Sequence, residues 1–147
     1  MNTGFVFHAQ CIQDSGGAII QSVGDAILAV WEPSRLTPSH ADLALATGRK
    51  VLRGLRQINS ETGIEIHLRI TLGTGKMTAD WIGGRFQVVG APYAVAQRLD
   101  QMDFPRRSQL LYTSETLDYI TQKETCEAIG KIKGASGQDV PVFELIE

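Results

Sequence analysis

GAIIQSVGDAILAVW, residues 17–31, is the stretch on which the fold turns. Two β-prone runs, residues 18–23 and 26–31, flank Gly24-Asp25. A Gly-Asp connection of that length between apolar runs signals a tight hairpin, because glycine tolerates the positive φ such turns require. The spacing predicts an antiparallel pair of strands with Asp25 held at its tip.

Working outward, residues 5–13 read as a helix. Phe5, Phe7, His8, Cys11 and Ile12 form its apolar stripe, and Gly16-Gly17 stops it. On the other side, Ser39 with Asp42 three residues later resembles a capping box. Leu43, Ala44, Val51, Leu52, Leu55 and Ile58 continue at helical spacing to a stop near Gly63. Arg49, Arg53 and Arg56 line one face of that helix and read as a solvated side. Residues 66–72 alternate as a strand, and residues 86–89 form a second run across a Gly-rich bend. Pro92 opens a helix, since proline suits the first helical turn. Val95, Leu99 and Met102 make its buried stripe and leave Ala94, Arg98 and Gln101 on another face. A strand at 109–112, a short helix from Ser114, and strands near 129–133 and 140–146 complete an α+β order, a largely antiparallel sheet covered by helices.

With 147 residues, 43% hydrophobic and 20% charged, the chain reads as one globular domain, 1–147. A net charge of −2 gives no reason to expect nucleic acid or a membrane surface as partner. No apolar run approaches the roughly 20 residues that span a bilayer. Cys11 and Cys126 form neither a disulfide framework nor a CxxC pattern, so a cytoplasmic location is expected.

Gly73-Thr74-Gly75-Lys76 imitates a phosphate loop, but Ile70 and Met77 occupy the positions that require Gly and Ser or Thr. Thr78 defeats the dinucleotide pattern in the same way. His8, His40 and His67 lack metal-ligand spacing. No Ser or Cys nucleophile motif appears.

Taken together, three stretches resemble the catalytic domain of class III nucleotidyl cyclases, the adenylate and guanylate cyclase family. They are the hairpin of residues 17–31; LRITLGTG (68–75) leading to FQVVGAPYAVAQRL (86–99); and LLYTSETL (110–117) followed by GKIKG (130–134) and VPVF (140–143). The resemblance implies a ferredoxin-like core that works as a homodimer, or as a heterodimer with another cyclase domain, and binds a nucleoside triphosphate, ATP or GTP, in the cleft between subunits. In such enzymes the 3′-hydroxyl attacks the α-phosphate, and a 3′,5′-cyclic nucleotide and pyrophosphate result. Carboxylates hold Mg²⁺ or Mn²⁺ while cations offset the charge on phosphorus and on the leaving pyrophosphate. By resemblance, Asp25 matches a metal-binding aspartate, Arg98 the arginine that stabilises the transition state, and Lys133 the lysine on the terminal phosphates. Gln21 and Gln87 match the base-reading pair, and an amide offers both a donor and an acceptor.

Departures from the family temper the activity. The sequence starts within the helix that follows the family's first strand, so a sheet without that strand, its metal aspartate and its phosphate-cradling loop is expected. Loss of that strand leaves sheet edges to be covered, and so a dimer or higher oligomer is expected. Ala94 replaces the Asn that orients the ribose, one helical turn before Arg98. Two functions follow from the resemblance: a weakly active or inactive nucleotidyl cyclase in cyclic-nucleotide signalling, or a non-catalytic pseudocyclase that binds nucleotide or regulates a catalytic partner.

Overall fold

Residues 3–23, 26–33, 39–121, 125–134 and 136–146 are described by the structure, a computed structural model. They fall into two units, Met1–His67 and Leu68–Glu147. Asp25, the expected hairpin tip, lies outside the described residues.

The first unit holds α1 (Thr3–Asp14), β1 (Ala18–Val23), β2 (Ala26–Val30) and α2 (His40–Thr62). β1 and β2 pair antiparallel as the Gly-Asp spacing predicts, from Ala18↔Val30 to Val23↔Ala26, with an irregularity in register between Ile19 and Gln21. α1 packs against α2 and β1. Cys11 and Ile12 are buried from α1, and Leu45, Val51, Leu52 and Leu55 from α2. This is the apolar stripe that helical spacing requires. Ser15 fastens the hairpin to α1: the Trp31 indole N–H donates to its Oγ at 3.0 Å, and the hydroxyl donates to the Ile12 carbonyl at 2.8 Å. Ser39 is the N-cap of α2 as expected, although its side chain makes no cap hydrogen bond.

α2 ends by local means. Gly63 takes the left-handed conformation (φ 71°) and its N–H donates to the Asn59 carbonyl at 2.9 Å. A residue with a Cβ is strained there. The Asn59 side chain then grips the outgoing chain, donating to the Ile66 carbonyl at 2.8 Å and accepting from the Ile66 N–H at 3.2 Å. That grip explains a correction to the sequence reading. The strand expected at 66–72 begins only at Arg69, because the backbone polar groups of Ile66 are already engaged by a side chain.

In the second unit follow β3 (Arg69–Leu72), β4 (Thr78–Ile82), β5 (Arg85–Val89), α3 (Ala91–Asp100), β6 (Gln109–Thr113), α4 (Ser114–Tyr119), β7 (Cys126–Lys133) and β8 (Asp139–Leu145). Four strands form one sheet in the order β3-β6-β8-β7, while β4 and β5 form a separate hairpin. β3 and β6 run parallel, joined by the crossover through α3, and the other pairs are antiparallel. The architecture is thus mixed α+β with predominantly antiparallel pairing. β6 is buried along its whole length, and Val95 and Leu99 of α3 pack with Leu111 and Val142, flanked by Met102 and Ile132. Fully burying side chains of this size stabilises by about 1.5–3 kcal/mol each.

β4 was not foreseen. All of its residues are exposed, so it lacks the buried/polar alternation by which a strand is read.

Gly73, which suggested a phosphate loop, has a packing role. A Cβ there would lie 2.1 Å from the Pro92 carbonyl oxygen, so only glycine lets this turn meet the start of α3. The next residue, Thr74, shares a buried 2.8 Å hydroxyl–hydroxyl hydrogen bond with Thr116 of α4.

Candidate functional site

Pro92 sits in the first turn of α3, where its missing N–H costs nothing. Val95 and Leu99 turn one face of the helix into the core, which leaves Ala94 and Arg98 exposed, one turn apart. Arg98 is therefore presented outward by the burial of its neighbours.

Lys133 is the last residue of β7 and pairs with Asp139, the first residue of β8. The chain reverses between them in a tight loop. Gly134 N–H donates to the Gln138 carbonyl at 2.8 Å, and Ser136 N–H donates to Gln138 Oε1 at 2.9 Å.

These two positions, 35 residues apart in sequence, meet. The Arg98 guanidinium donates to the backbone carbonyl of Lys133. A basic residue on a helix is thus joined to one at a strand end through the main chain of the latter, and the Lys133 ammonium takes no part in that bond. That ammonium is held by Asp139, donating to Oδ1 at 2.6 Å, while Lys131 donates to Oδ2 of the same carboxylate at 3.1 Å. The hydrogen bond from Lys133, and then that from Lys131, holds the Asp139 carboxyl below the usual carboxylate range. Sequence reasoning missed Asp139. The signal was its place across a Gly-rich reversal from Lys133.

Gln87 stands exposed on β5, opposite Asp80 in the β4–β5 ladder. Gln21 stands exposed on β1 of the first unit, next to the irregularity in register. Of the expected site residues that are described, Arg98 and Lys133 are joined by a contact.

Chemically, an exposed guanidinium and an exposed ammonium on residues that touch suit a polyanion such as a di- or triphosphate, since charge-assisted hydrogen bonds to phosphate oxygens are the strong ones. Among the described residues no group of three or more His, Cys, Asp or Glu side chains could hold a metal ion.

Solved structures share this architecture. The guanylate cyclase domain of RhGC from Catenaria anguillulae, in complex with GTP, is 18% identical, with a TM-score of 0.75 over 99% of this chain and 80% of that one. The adenylyl cyclase CyaB from P. aeruginosa is 22% identical, with a TM-score of 0.78 over 99% and 80%. The dimeric guanylyl cyclase domain of the RhoGC fusion protein from the aquatic fungus Blastocladiella emersonii is 17% identical, with a TM-score of 0.74 over 99% and 80%. No protein-family model and no curated protein matches the sequence. The fold expected from the sequence is therefore the fold observed, that of the cyclase catalytic domain. No helix among the described residues is long and apolar enough to cross a membrane.

Proposed function

We propose that the chain is a class III nucleotidyl cyclase-like domain that binds a nucleoside triphosphate through Arg98 and Lys133. The observation that carries this reading is the bond from Arg98 to the Lys133 carbonyl, which joins two exposed basic residues from separate elements. A ligand with several phosphates supplies the charge that these residues lack. Support comes also from the fold, shared with a guanylate cyclase domain in complex with GTP and with a catalytic core in complex with ATPαS.

On this reading Arg98 offsets charge at the reacting phosphorus and Lys133 holds the terminal phosphates. Triphosphate entry requires Lys133 to exchange Asp139 for phosphate oxygens. Gln21 and Gln87 are the proposed contacts to the base, and Asp25 the proposed metal ligand for Mg²⁺ or Mn²⁺. We place the working form as a homodimer, or a heterodimer with another cyclase domain, in cytoplasmic cyclic-nucleotide signalling. Ala94 offers no hydrogen bond one turn before Arg98, which favours binding with weak turnover. It equally supports a second reading, a pseudocyclase that binds nucleotide or regulates a catalytic partner.

The test is a cyclisation assay on the purified chain with ATP, GTP, CTP and UTP in Mn²⁺, beside Asp25→Ala. Slow formation of a 3′,5′-cyclic nucleotide, abolished by Asp25→Ala, supports the enzyme. Triphosphate binding without product supports the pseudocyclase. Absence of both binding and product overturns the proposal.

A further inference from the structure

Arg98 lies in the last turn of α3, the part of a helix that frays most readily. The last carbonyls of any helix lack intrahelical donors. α3 has no left-handed glycine to fold the chain back: its C-cap is Gln101 in an ordinary right-handed conformation (φ −85°, ψ −7°), and its last turn is closed locally by two backbone bonds, Gln101 N–H to Arg98 O and Met102 N–H to Leu99 O, each at 3.2 Å.

Its carbonyls are met from a distance by Arg69 on β3. Nη1 donates to Leu99 O at 3.3 Å, to Asp100 O at 3.1 Å and to Met102 O at 2.5 Å, and Nη2 donates to Asp103 O at 2.6 Å. Nε and Nη2 both reach Gln109 Oε1 on β6, at 3.2 and 3.0 Å. The guanidinium carbon sits 4.6 Å from the centre of the Phe104 ring. One planar cation therefore ties the end of α3 and the following turn to two parallel strands, and its charge opposes the negative end of the helix dipole.

We propose that Arg69 is a positioning residue for Arg98. It touches no part of the phosphate patch. By adding its donors to the carbonyls of Leu99, Asp100, Met102 and Asp103, it reinforces the weak local bonds that close the last turn and so keeps the Arg98 guanidinium against the Lys133 carbonyl. This rests on the triphosphate reading above for its consequence in binding, whereas its structural half can be read without a ligand.

The experiment compares the full chain with Arg69→Met, which keeps bulk but loses every donor, and Arg69→Lys, which keeps charge and some donors. Two signals are followed: the NMR resonance of the Arg98 Nε–H, assigned by its absence in Arg98→Ala, and the affinity for GTP and ATP in Mn²⁺. Arg69→Met is expected to move the Arg98 resonance to that of a solvated arginine. Affinity should fall about fivefold or more as the competent population shrinks in proportion. Arg69→Lys is expected to restore part of both. An Arg69→Met chain that unfolds cooperatively with resonance and affinity unchanged overturns the proposal. Should Arg69→Met fail to fold, Arg69→Lys decides on the same signals: an intermediate resonance supports the role, and an unmoved one overturns it. If the unsubstituted chain binds neither nucleotide, the functional reading fails while the resonance still decides the role of Arg69.

Discussion

α2 and α3 end in different ways. α2 is stopped by the next residue in the chain, Gly63, whose left-handed backbone satisfies a carbonyl four residues back. The end of α3 is closed by local backbone bonds to Arg98 O and Leu99 O and held as well by Arg69, a side chain from a strand some thirty residues upstream that donates to Leu99 O and Asp100 O. A locally capped end serves the helix alone. An end held by a distant side chain fixes that end against the sheet, and α3 is the helix whose last turn carries Arg98. The two ends therefore predict different consequences when broken.

The largest effect should come from Arg98 itself. Arg98→Ala removes a charged donor from the proposed phosphate patch, a loss of about 1.5–3 kcal/mol, which is roughly 10- to 100-fold in triphosphate affinity. Calorimetric titration with GTP and ATP checks it.

Substituting both helix ends sharpens the contrast. Gly63→Ala should lower stability by roughly 1–2 kcal/mol, because the φ of 71° disfavours a Cβ although space is open around it. Denaturant midpoints should show that loss with triphosphate affinity unmoved. Arg69→Met should move both. Equal effects of the two substitutions on binding would erase the distinction between the ends.

Smaller still is the effect of the carboxylate that occupies Lys133. Asp139→Asn should strengthen triphosphate binding by about twofold to fivefold, since an exposed ion pair is a weak competitor. The sign with pH follows from the depressed Asp139 carboxyl. Whatever the pair contributes to stability is complete above the ordinary aspartate value and is lost only as pH falls through the lowered native one. Between neutrality and mild acid, then, the grip of Asp139 on Lys133 should not change. Triphosphate titrations across that range should show no release attributable to Asp139.

A different group responds to mild acid in the first unit. Desolvation on α1 holds His8 below the ordinary histidine value. Stability there is complete above about pH 6.5, the unfolded value, and declines as pH falls toward the lowered native one. Replacing His8 with Gln should flatten that part of a pH–stability profile.

How much of this was legible in the sequence follows from where the information lies. The β1–β2 hairpin, α2 and α3 were readable because turn residues and apolar spacing are local signals. Pro92, Val95 and Leu99 alone place Arg98 on an exposed face. β4 was not readable, because a strand exposed throughout carries no burial pattern. The start of β3 was misjudged because the side chain that delays it, Asn59, sits on the preceding helix. Lys133 and Arg98 entered through a family resemblance, and the bond that joins them became visible only with the sheet order. Arg69 escaped for the same reason: it acts across a separation that topology closes, and nothing in the neighbouring residues announces it. Asp139 carried a local signal, its place across a Gly-rich reversal from Lys133.

The most direct measurement is a double-mutant cycle on triphosphate affinity with Arg98→Ala, Lys133→Ala and the double variant. Lys133→Ala removes the ammonium yet leaves the carbonyl that receives Arg98, so each substitution isolates one cation. If both cations serve one ligand, each single variant binds more weakly and the double variant departs from the sum of the two losses. Unchanged affinity in both single variants would contradict the account at its centre.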